Sequence, residues 1–215
     1  MSRLRNHFAK CQARHAAGAE PEVATSTIGE ITLVQLAAHR RALKAIKSMT
    51  AKIEAKRPMV LEYEGYIDGV IGADAGGSDD VISLLMLWHI DISNFDRAIQ
   101  IGAYAVKHGL PMPNGQKRTA AEALAEQFAE GYLTSADDAG RPTRTQLHDV
   151  LGLVAQKDMH DEIGAKLHKV LGDALNSEND IDGALLQFKE ALRLNPNVGV
   201  KSVIKALEKN ILDRQ

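Results

Sequence analysis

A stretch near the C-terminus has the residue spacing of a helical hairpin of the tetratricopeptide type, and it constrains the fold more than any other segment. The spacing is carried by Leu171, Gly172, Ala184, Phe188, Ala191 and Pro196. In such a hairpin the glycine lets the first helix approach the second, the alanines lie where the helices cross, and the proline ends the second helix. The spacing therefore predicts a scaffold of packed helices.

An earlier segment repeats this pattern in a degenerate form. Residues 94–97 read as a hairpin turn, and Ala98, Gly102 and Ala105 repeat the small-residue spacing before Pro111. Ala98 lies 86 residues before Ala184, which is too far for adjacent repeats of about 34 residues. We therefore expect two further helices, near residues 120–132 and 143–157, and a compact bundle rather than an open superhelix.

The composition favours an all-α protein. Only 4% of the residues are aromatic, while 45% are hydrophobic, which is enough to fill a core. The single Cys11 cannot form an internal disulfide, and this fits a reducing cytoplasm. No apolar stretch approaches 18 residues and the N-terminus lacks the apolar segment of a signal peptide. We expect a soluble intracellular protein that has no membrane partner.

Charge divides the chain and suggests its domains. Residues 1–57 hold 11 Lys or Arg against 4 Asp or Glu, whereas the remaining residues hold 15 against 24. Residues 1–29 are predicted to be a flexible basic arm and linker, and residues 30–57 a long basic amphipathic helix that ends before Pro58. Residues 58–215 are predicted to be an α-helical domain, with the two tetratricopeptide-like hairpins near residues 80–112 and 163–196.

The basic front of the chain is a candidate for DNA binding and oligomerisation, because clustered cations suit a polyanionic partner. The candidate DNA-binding residues are Arg40, Arg41, Lys44, Lys47, Lys52, Lys56, Arg57, Arg3 and Arg5, helped by Lys10 and Arg14. The alternative is a solvated helix whose lysines keep the protein in solution. Lys117 and Arg118 are, in the same way, either a phosphate contact or a polar turn.

Few residues suggest chemistry. The candidate metal ligands are Asp158, His160, Asp161 and Glu162, together with His148 and Asp149. The alternative, which we favour, is that Asp158 and Asp161, three residues later, form a helix cap before a helix that begins at Glu162. Trp88 and His89 lie in an apolar run, where core packing is the simpler interpretation. The sequence contains no GxxxxGK[ST], HExxH, CxxC or GxSxG motif.

Four longer runs of the sequence are distinctive: MLWHIDISNFDRAIQIGAYAVKHGLPMP from Met86, QKRT from Gln116, DEIGAKLHKVLGDAL from Asp161 and GVKSVIKALEK from Gly199. Together they resemble the small terminase subunit of temperate tailed phages that have cohesive genome ends. The upstream run TLVQLAAHRRALKAIKSMTAKIEAKR has a similar character, so the resemblance extends over nearly the whole chain from about residue 30.

The resemblance implies a role in packaging viral DNA in the cytoplasm of the bacterial host. Its implied partners are double-stranded phage DNA, the large ATPase and nuclease subunit, and further copies of the chain in a ring-like homo-oligomer. Since no phosphate-loop motif is present, ATP hydrolysis is expected to belong to the large subunit, and no cofactor is expected here. The sequence shows no nuclease motif either, so no catalytic residue is carried over.

Two alternatives remain open. The family is traditionally labelled the endonuclease subunit of terminase, and a Mg²⁺-dependent nuclease would draw on Asp79, Asp80, Asp158, Asp161 and Glu162. The other alternative is an adaptor that binds only protein.

Overall fold

The computed structural model describes residues 22–77, 80–135, 137 and 140–213, with side chains described from residue 29 onward. These residues form ten α-helices and a short 3₁₀ turn at Pro113–Gly115, with no β-strand among them, which confirms the all-α prediction. The helices are α1 (Glu22–Ala45), α2 (Met49–Leu61), α3 (Glu64–Ala73), α4 (Asp80–Asp91), α5 (Phe95–His108), α6 (Ala120–Thr134), α7 (Arg144–Val154), α8 (Asp161–Ser177), α9 (Ile181–Leu194) and α10 (Lys201–Leu212).

The contacts divide the chain into two compact units, residues 1–79 and residues 80–215. We call them unit 1 and unit 2. In the part of unit 1 that the structure describes, α1 contacts both α2 and α3. The buried apolar side chains there come from all three helices and the turn between the last two: Leu36, Leu43, Val60, Tyr63 and Ile67.

The prediction of one long helix over residues 30–57 is wrong in three respects. The helix begins at Glu22, inside the segment predicted to be a flexible arm and linker. The chain leaves the helix at residues 46–48, and Ser48 begins α2 by accepting a hydrogen bond from the Ala51 N–H at 3.3 Å. Pro58 lies inside α2 rather than after it. Proline removes only the hydrogen bond to the Glu54 carbonyl, and both residues are exposed, so water can satisfy that carbonyl.

Unit 2 is built from three pairs of consecutive helices followed by α10. The members of each pair, α4–α5, α6–α7 and α8–α9, pack against one another, and the middle pair contacts both of the others. The two helices predicted near residues 120–132 and 143–157 are confirmed as α6 and α7. Each begins with a capping box, formed by Thr119 with Glu122 and by Thr143 with Gln146.

The first and third pairs turn in the same way, at positions 86 residues apart. Ser93 and Asn179 both adopt left-handed backbone conformations, with φ of 61° and 62°. The next residue in each turn donates its N–H back to the first helix, Asn94 to the His89 carbonyl at 2.8 Å and Asp180 to the Leu175 carbonyl at 3.0 Å. This bond satisfies a carbonyl in the last turn of the first helix and directs the chain into the second.

In each of these two pairs, a large side chain packs against a glycine where the helices cross. The glycine lies on the first helix of the third pair and on the second helix of the first pair. At Gly172 on α8, an added Cβ would lie 2.7 Å from the Phe188 ring on α9. At Gly102 on α5, an added Cβ would lie 3.4 Å from the Met86 sulfur on α4 and 2.9 Å from Leu124 on α6. The alanines that the sequence singled out, Ala98, Ala105, Ala184 and Ala191, are all fully buried.

No helix among the described residues combines the length and the apolar character that crossing a membrane would require.

Candidate nucleic-acid interface

Seven of the nine predicted DNA-binding residues lie in the described part of unit 1, on or between its first two helices. Arg40, Arg41 and Lys44 are exposed near the end of α1, and Lys47 is exposed in the break that follows. The other three, Lys52, Lys56 and Arg57, follow on α2. Arg3 and Arg5, together with Lys10 and Arg14, lie outside the described residues.

The basic side chains differ in how strongly other groups hold them. Arg57 pairs with Glu54 one turn earlier at 3.2 Å, and Arg41 donates to the Ala37 carbonyl of its own helix at 3.3 Å. Within the part of the chain that the structure describes, Lys44, Lys47 and Lys52 make no ion pair and no side-chain hydrogen bond. These three ammonium groups can therefore meet an anion without first losing an acidic partner.

Opposite charges are separated along unit 1. Residues 29–57 contain seven Lys or Arg and two acidic residues, while residues 58–77 contain four acidic residues and no Lys or Arg. The positive charge is thus concentrated on α1 and α2, and the negative charge lies at the end of α2 and on α3. A polyanion such as nucleic acid would be attracted to the first region and repelled by the second.

A polar network fixes α1 against the turn between α2 and α3. His39 Nδ1 lies 2.7 Å from the Tyr63 hydroxyl, and its Nε2 lies 3.8 Å from the Glu62 carboxylate, which also accepts a hydrogen bond from Gln35. Burial, with a smaller effect from the Glu62 charge, raises the pKa of Tyr63 from 10.0 to about 12. The network therefore holds the helix that carries Arg40, Arg41 and Lys44 in a defined position.

The similarity to known proteins now identifies the family. A family model described as the phage small terminase subunit matches residues 33–162, which include the end of α1 and all of α2. The chain is 37% identical to the terminase endonuclease subunit of Escherichia phage P2 over 187 residues, covering 86% of this chain and 75% of that protein. The chain belongs to the family of phage small terminase subunits.

A second relative of this small terminase family is more distant. The probable terminase endonuclease subunit of Haemophilus phage HP1 is 22% identical over 179 residues, which cover 76% of this chain and 63% of that protein. No solved structure matches the chain. The resemblance inferred from the sequence is therefore confirmed at the level of the family.

The acidic residues considered as metal ligands do not converge in the described ranges, where no group of three or more His, Cys, Asp or Glu side chains could hold an ion. Asp79 lies outside those ranges. Asp158 and Asp161 are not the cap of a helix beginning at Glu162, because α8 begins at Asp161 with His160 as its N-cap residue. Glu122 takes over part of the capping role, since its carboxylate accepts the His160 N–H at 3.3 Å.

The core interpretation of Trp88 and His89 agrees with their burial, since Trp88 is 4% exposed and His89 is fully buried. Asn94 donates a hydrogen bond to His89 Nδ1 at 3.1 Å, which ties the turn of the first helix pair to α4. These two residues thus belong to the packing of unit 2.

The loop residues Lys117 and Arg118 line a cleft of about 590 Å³ that the sequence does not predict. Leu87 and Asp91 on α4 form one wall, and Glu126 and Gln127 on α6 form another. Arg118 makes an ion pair with Glu126, so its charge is already partnered. The spacing of Glu122, Glu126 and Glu130 along one side of α6 was the available signal that this helix presents acidic groups to neighbouring segments.

Proposed function

We propose that this chain is the small subunit of a DNA-packaging terminase, which binds the cohesive-end packaging site on concatemeric phage DNA and assembles with the large ATPase and nuclease subunit. It acts in the cytoplasm of the bacterial host as a ring-like homo-oligomer. The observation that carries the DNA-binding part is the set of exposed or half-exposed lysines on unit 1 without acidic partners in the described structure, on a chain whose family packages phage DNA.

The physical basis of the DNA contact is neutralisation of phosphates. Each phosphate that a lysine neutralises releases condensed counterions, so the binding constant falls as salt rises, with a logarithmic slope of about −0.9 per contact. One copy of unit 1 offers only a few contacts, and an oligomer multiplies them. The positive charges of Arg3, Arg5, Lys10 and Arg14 would add further phosphate contacts.

Unit 2 is proposed to be the protein-binding part of the subunit. Its paired helices with buried small residues at the crossings support a tetratricopeptide-like hairpin stack, a type of scaffold that presents extended surfaces to partners. Its sequence is acidic overall, which makes it the poorer surface for DNA. We assign to it the contact with the large subunit.

A second candidate function is Mg²⁺-dependent cleavage of the cohesive-end site, because the P2 and HP1 relatives are named as endonuclease subunits. No ligand set is assigned to this activity, because the described residues contain no group of three or more His, Cys, Asp or Glu side chains that could hold an ion. Nicking of cohesive-end DNA by the purified chain with Mg²⁺ would favour it, and intact DNA under the same conditions would exclude it.

The salt dependence of DNA binding tests the main proposal with a matched control. The test variant replaces Lys47 and Lys52 by Gln, and the control replaces Lys201 and Lys205 by Gln. All four lysines lack an ion pair in the described structure, and both variants lose two positive charges. In filter binding across a salt series, we expect the slope to become shallower by about 2 for each copy that contacts DNA in the test variant, and to stay unchanged in the control.

Equal changes in the two variants would mean that DNA senses only the total charge of the chain, and the proposed interface would then be wrong. Retention of the large subunit by a wild-type chain that holds no DNA at low salt would instead establish the adaptor.

A further inference from the structure

The first helix of unit 1 has an apolar face that points away from the core of the unit. Ile31 is 62% exposed and Val34 is 72% exposed, and an open groove of about 430 Å³ lies beside them. With about 100° of rotation per residue, the exposed Ala38 and Ala45 continue the same line along α1. This line, Ile31, Val34, Ala38 and Ala45, is here called the outer face.

The outer face lies on the opposite side of α1 from the residues that pack inside unit 1. Leu36 and Leu43 are 4% and 7% exposed, and they project about half a turn away from Val34 and Ala45. A helix that has apolar residues along a single side needs one packing partner, whereas a helix that has apolar residues along two sides needs two packing partners. The other helices of unit 1 pack against the inner side of α1. The outer face would be buried only by a second packing partner.

The distribution of charge along α1 favours a second copy of the same helix in the antiparallel orientation. Glu30 is exposed at one end of the outer face, while Arg41 and Lys44 are exposed toward the other end. A second copy laid antiparallel brings the Glu30 end of each helix to the Arg41 and Lys44 end of the other. A parallel copy would place like charges together, which is unfavourable.

We propose that the outer face pairs antiparallel with the outer face of a second copy of this chain, about a two-fold axis near Ala38. The small side chains of Ala38 and Ala45 let the two helices approach closely, and Ile31 of each copy packs over Ala45 of the other. The stem of Arg41 covers Val34 of the second copy.

This pairing names one interface of the homo-oligomer in the proposed function, and it rests on that proposal. A two-fold contact is isologous, so it adds to the head-to-tail contacts that close a ring and does not replace them. It also joins two copies of α1 in one assembly, so that DNA meets the basic residues of both copies and more phosphate contacts are available.

Cysteine cross-linking tests the geometry of the pair in the full-length chain, with Cys11 replaced by Ser. Ala38→Cys is expected to form a disulfide-linked dimer under mild oxidation, since a residue near the two-fold axis meets its own copy. Ile31→Cys alone is expected to stay uncross-linked, but a mixture of the Ile31→Cys and Ala45→Cys proteins should give mixed dimers. Ala206→Cys, an exposed alanine on α10, controls for random collision.

Each contrary result excludes the antiparallel pair. Self-cross-linking of Ile31→Cys would establish a parallel pair instead. An Ala38→Cys chain that stays monomeric, but dimerises when residues 1–28 are deleted, would show that the chain's own N-terminal segment covers the outer face. DNA retention, measured on the same samples, separates the two proposals. Failure to cross-link with DNA binding intact overturns the pair alone, whereas loss of DNA binding by the wild-type chain overturns the proposed function.

Discussion

A single carboxylate, that of Glu122, joins the beginnings of two helices in unit 2. It accepts the Thr119 N–H at 2.9 Å at the start of α6 and the His160 N–H at 3.3 Å at the start of α8, where the His160 ring also contacts it. Helix N-termini carry partial positive charge and favour an anion. The bond from Thr119, aided by those from His160, lowers the pKa of Glu122 from 4.5 to about 2.

Replacing Glu122 by Gln should make the protein less stable at neutral pH and less sensitive to acid. Because the folded-state pKa is lowered, the stabilisation is fully present above pH 4.5 and is lost as the pH falls toward 2. We expect a loss of about 2 kcal/mol at pH 7 and little difference between the two proteins near pH 2. Thermal or urea unfolding across this pH range measures the difference in the free energy of unfolding between the two proteins.

The control for this prediction is Glu162→Gln, which removes an exposed carboxylate from the first turn of α8. It should change stability at pH 7 by no more than about 0.5 kcal/mol. If both variants showed the same pH dependence, the stabilisation would come from helix ends in general and not from the bonds that Glu122 makes.

Gly172 should be intolerant of a methyl group, whereas Gly152 should accept one. A Cβ at residue 172 would lie within 3.1 Å of three atoms of the Phe188 ring, which is fully buried and has no space to move. We expect Gly172→Ala to destabilise unit 2 by about 1–3 kcal/mol. Gly152 lies in α7 with no neighbour within 4 Å, so Gly152→Ala should stabilise the helix by about 0.5–1 kcal/mol. Chemical unfolding of both variants gives the comparison, and an equal response would contradict the close helix crossing.

At the scale of helices, the break between α1 and α2 depends on one cap. Ser48 has an extended backbone and its hydroxyl accepts the Ala51 N–H, while the Lys52 N–H bonds to its carbonyl at 3.0 Å. Ser48→Ala should weaken the start of α2 by about 1 kcal/mol. Thr50 is the second residue of α2 and takes no part in the cap, so Thr50→Ala should be nearly neutral. Unfolding of unit 1 followed by circular dichroism distinguishes them, and a neutral Ser48→Ala would assign the break to another cause.

The same two helices show what can be read from the sequence and what cannot. Periodic apolar residues correctly predict helix on both sides of residue 47, because that signal is local and repeats every three or four residues. The break itself depends on whether Ser48 caps a helix or points to solvent, and both choices fit the local sequence. The prediction that the helix ends before Pro58 fails for a similar reason. The effect of a proline on a helix depends on whether the carbonyl that loses its hydrogen bond faces water.

The helix pairs of unit 2 were easier to predict because their signal is steric. Gly172, Ala184 and Ala191 are small where large residues would fit an isolated helix equally well, so their spacing already reveals a close crossing. The hydrogen bond between Glu122 and His160 could not be predicted from the sequence. The two residues are 38 positions apart, and each has a sufficient local role as part of the beginning of its own helix. The candidate interface lies between these cases. Its charges were visible in the sequence, but the separation of Lys44, Lys47 and Lys52 from acidic partners was not.

At the scale of the whole molecule, the division into two units separates the proposed tasks. Unit 2 contains most of the buried apolar side chains, and its three helix pairs and α10 contact one another in succession. The lysines without acidic partners on α1 and α2 belong to unit 1. Since unit 2 is a compact unit with a buried apolar core of its own, it should fold without the first 79 residues.

A fragment of residues 80–215 should therefore keep its helical circular dichroism and a cooperative thermal transition, yet lose DNA binding. The fragment carries 15 Lys or Arg against 19 Asp or Glu, so its net charge repels phosphate once the basic helices are removed. We expect its affinity for double-stranded DNA at 50 mM salt to fall at least tenfold below that of the full chain, and its binding to the large subunit to persist. A folded fragment that retains DNA with the same salt slope would move the interface to unit 2, where Lys201, Lys205 and Lys209, exposed along α10, would be the residues to replace next.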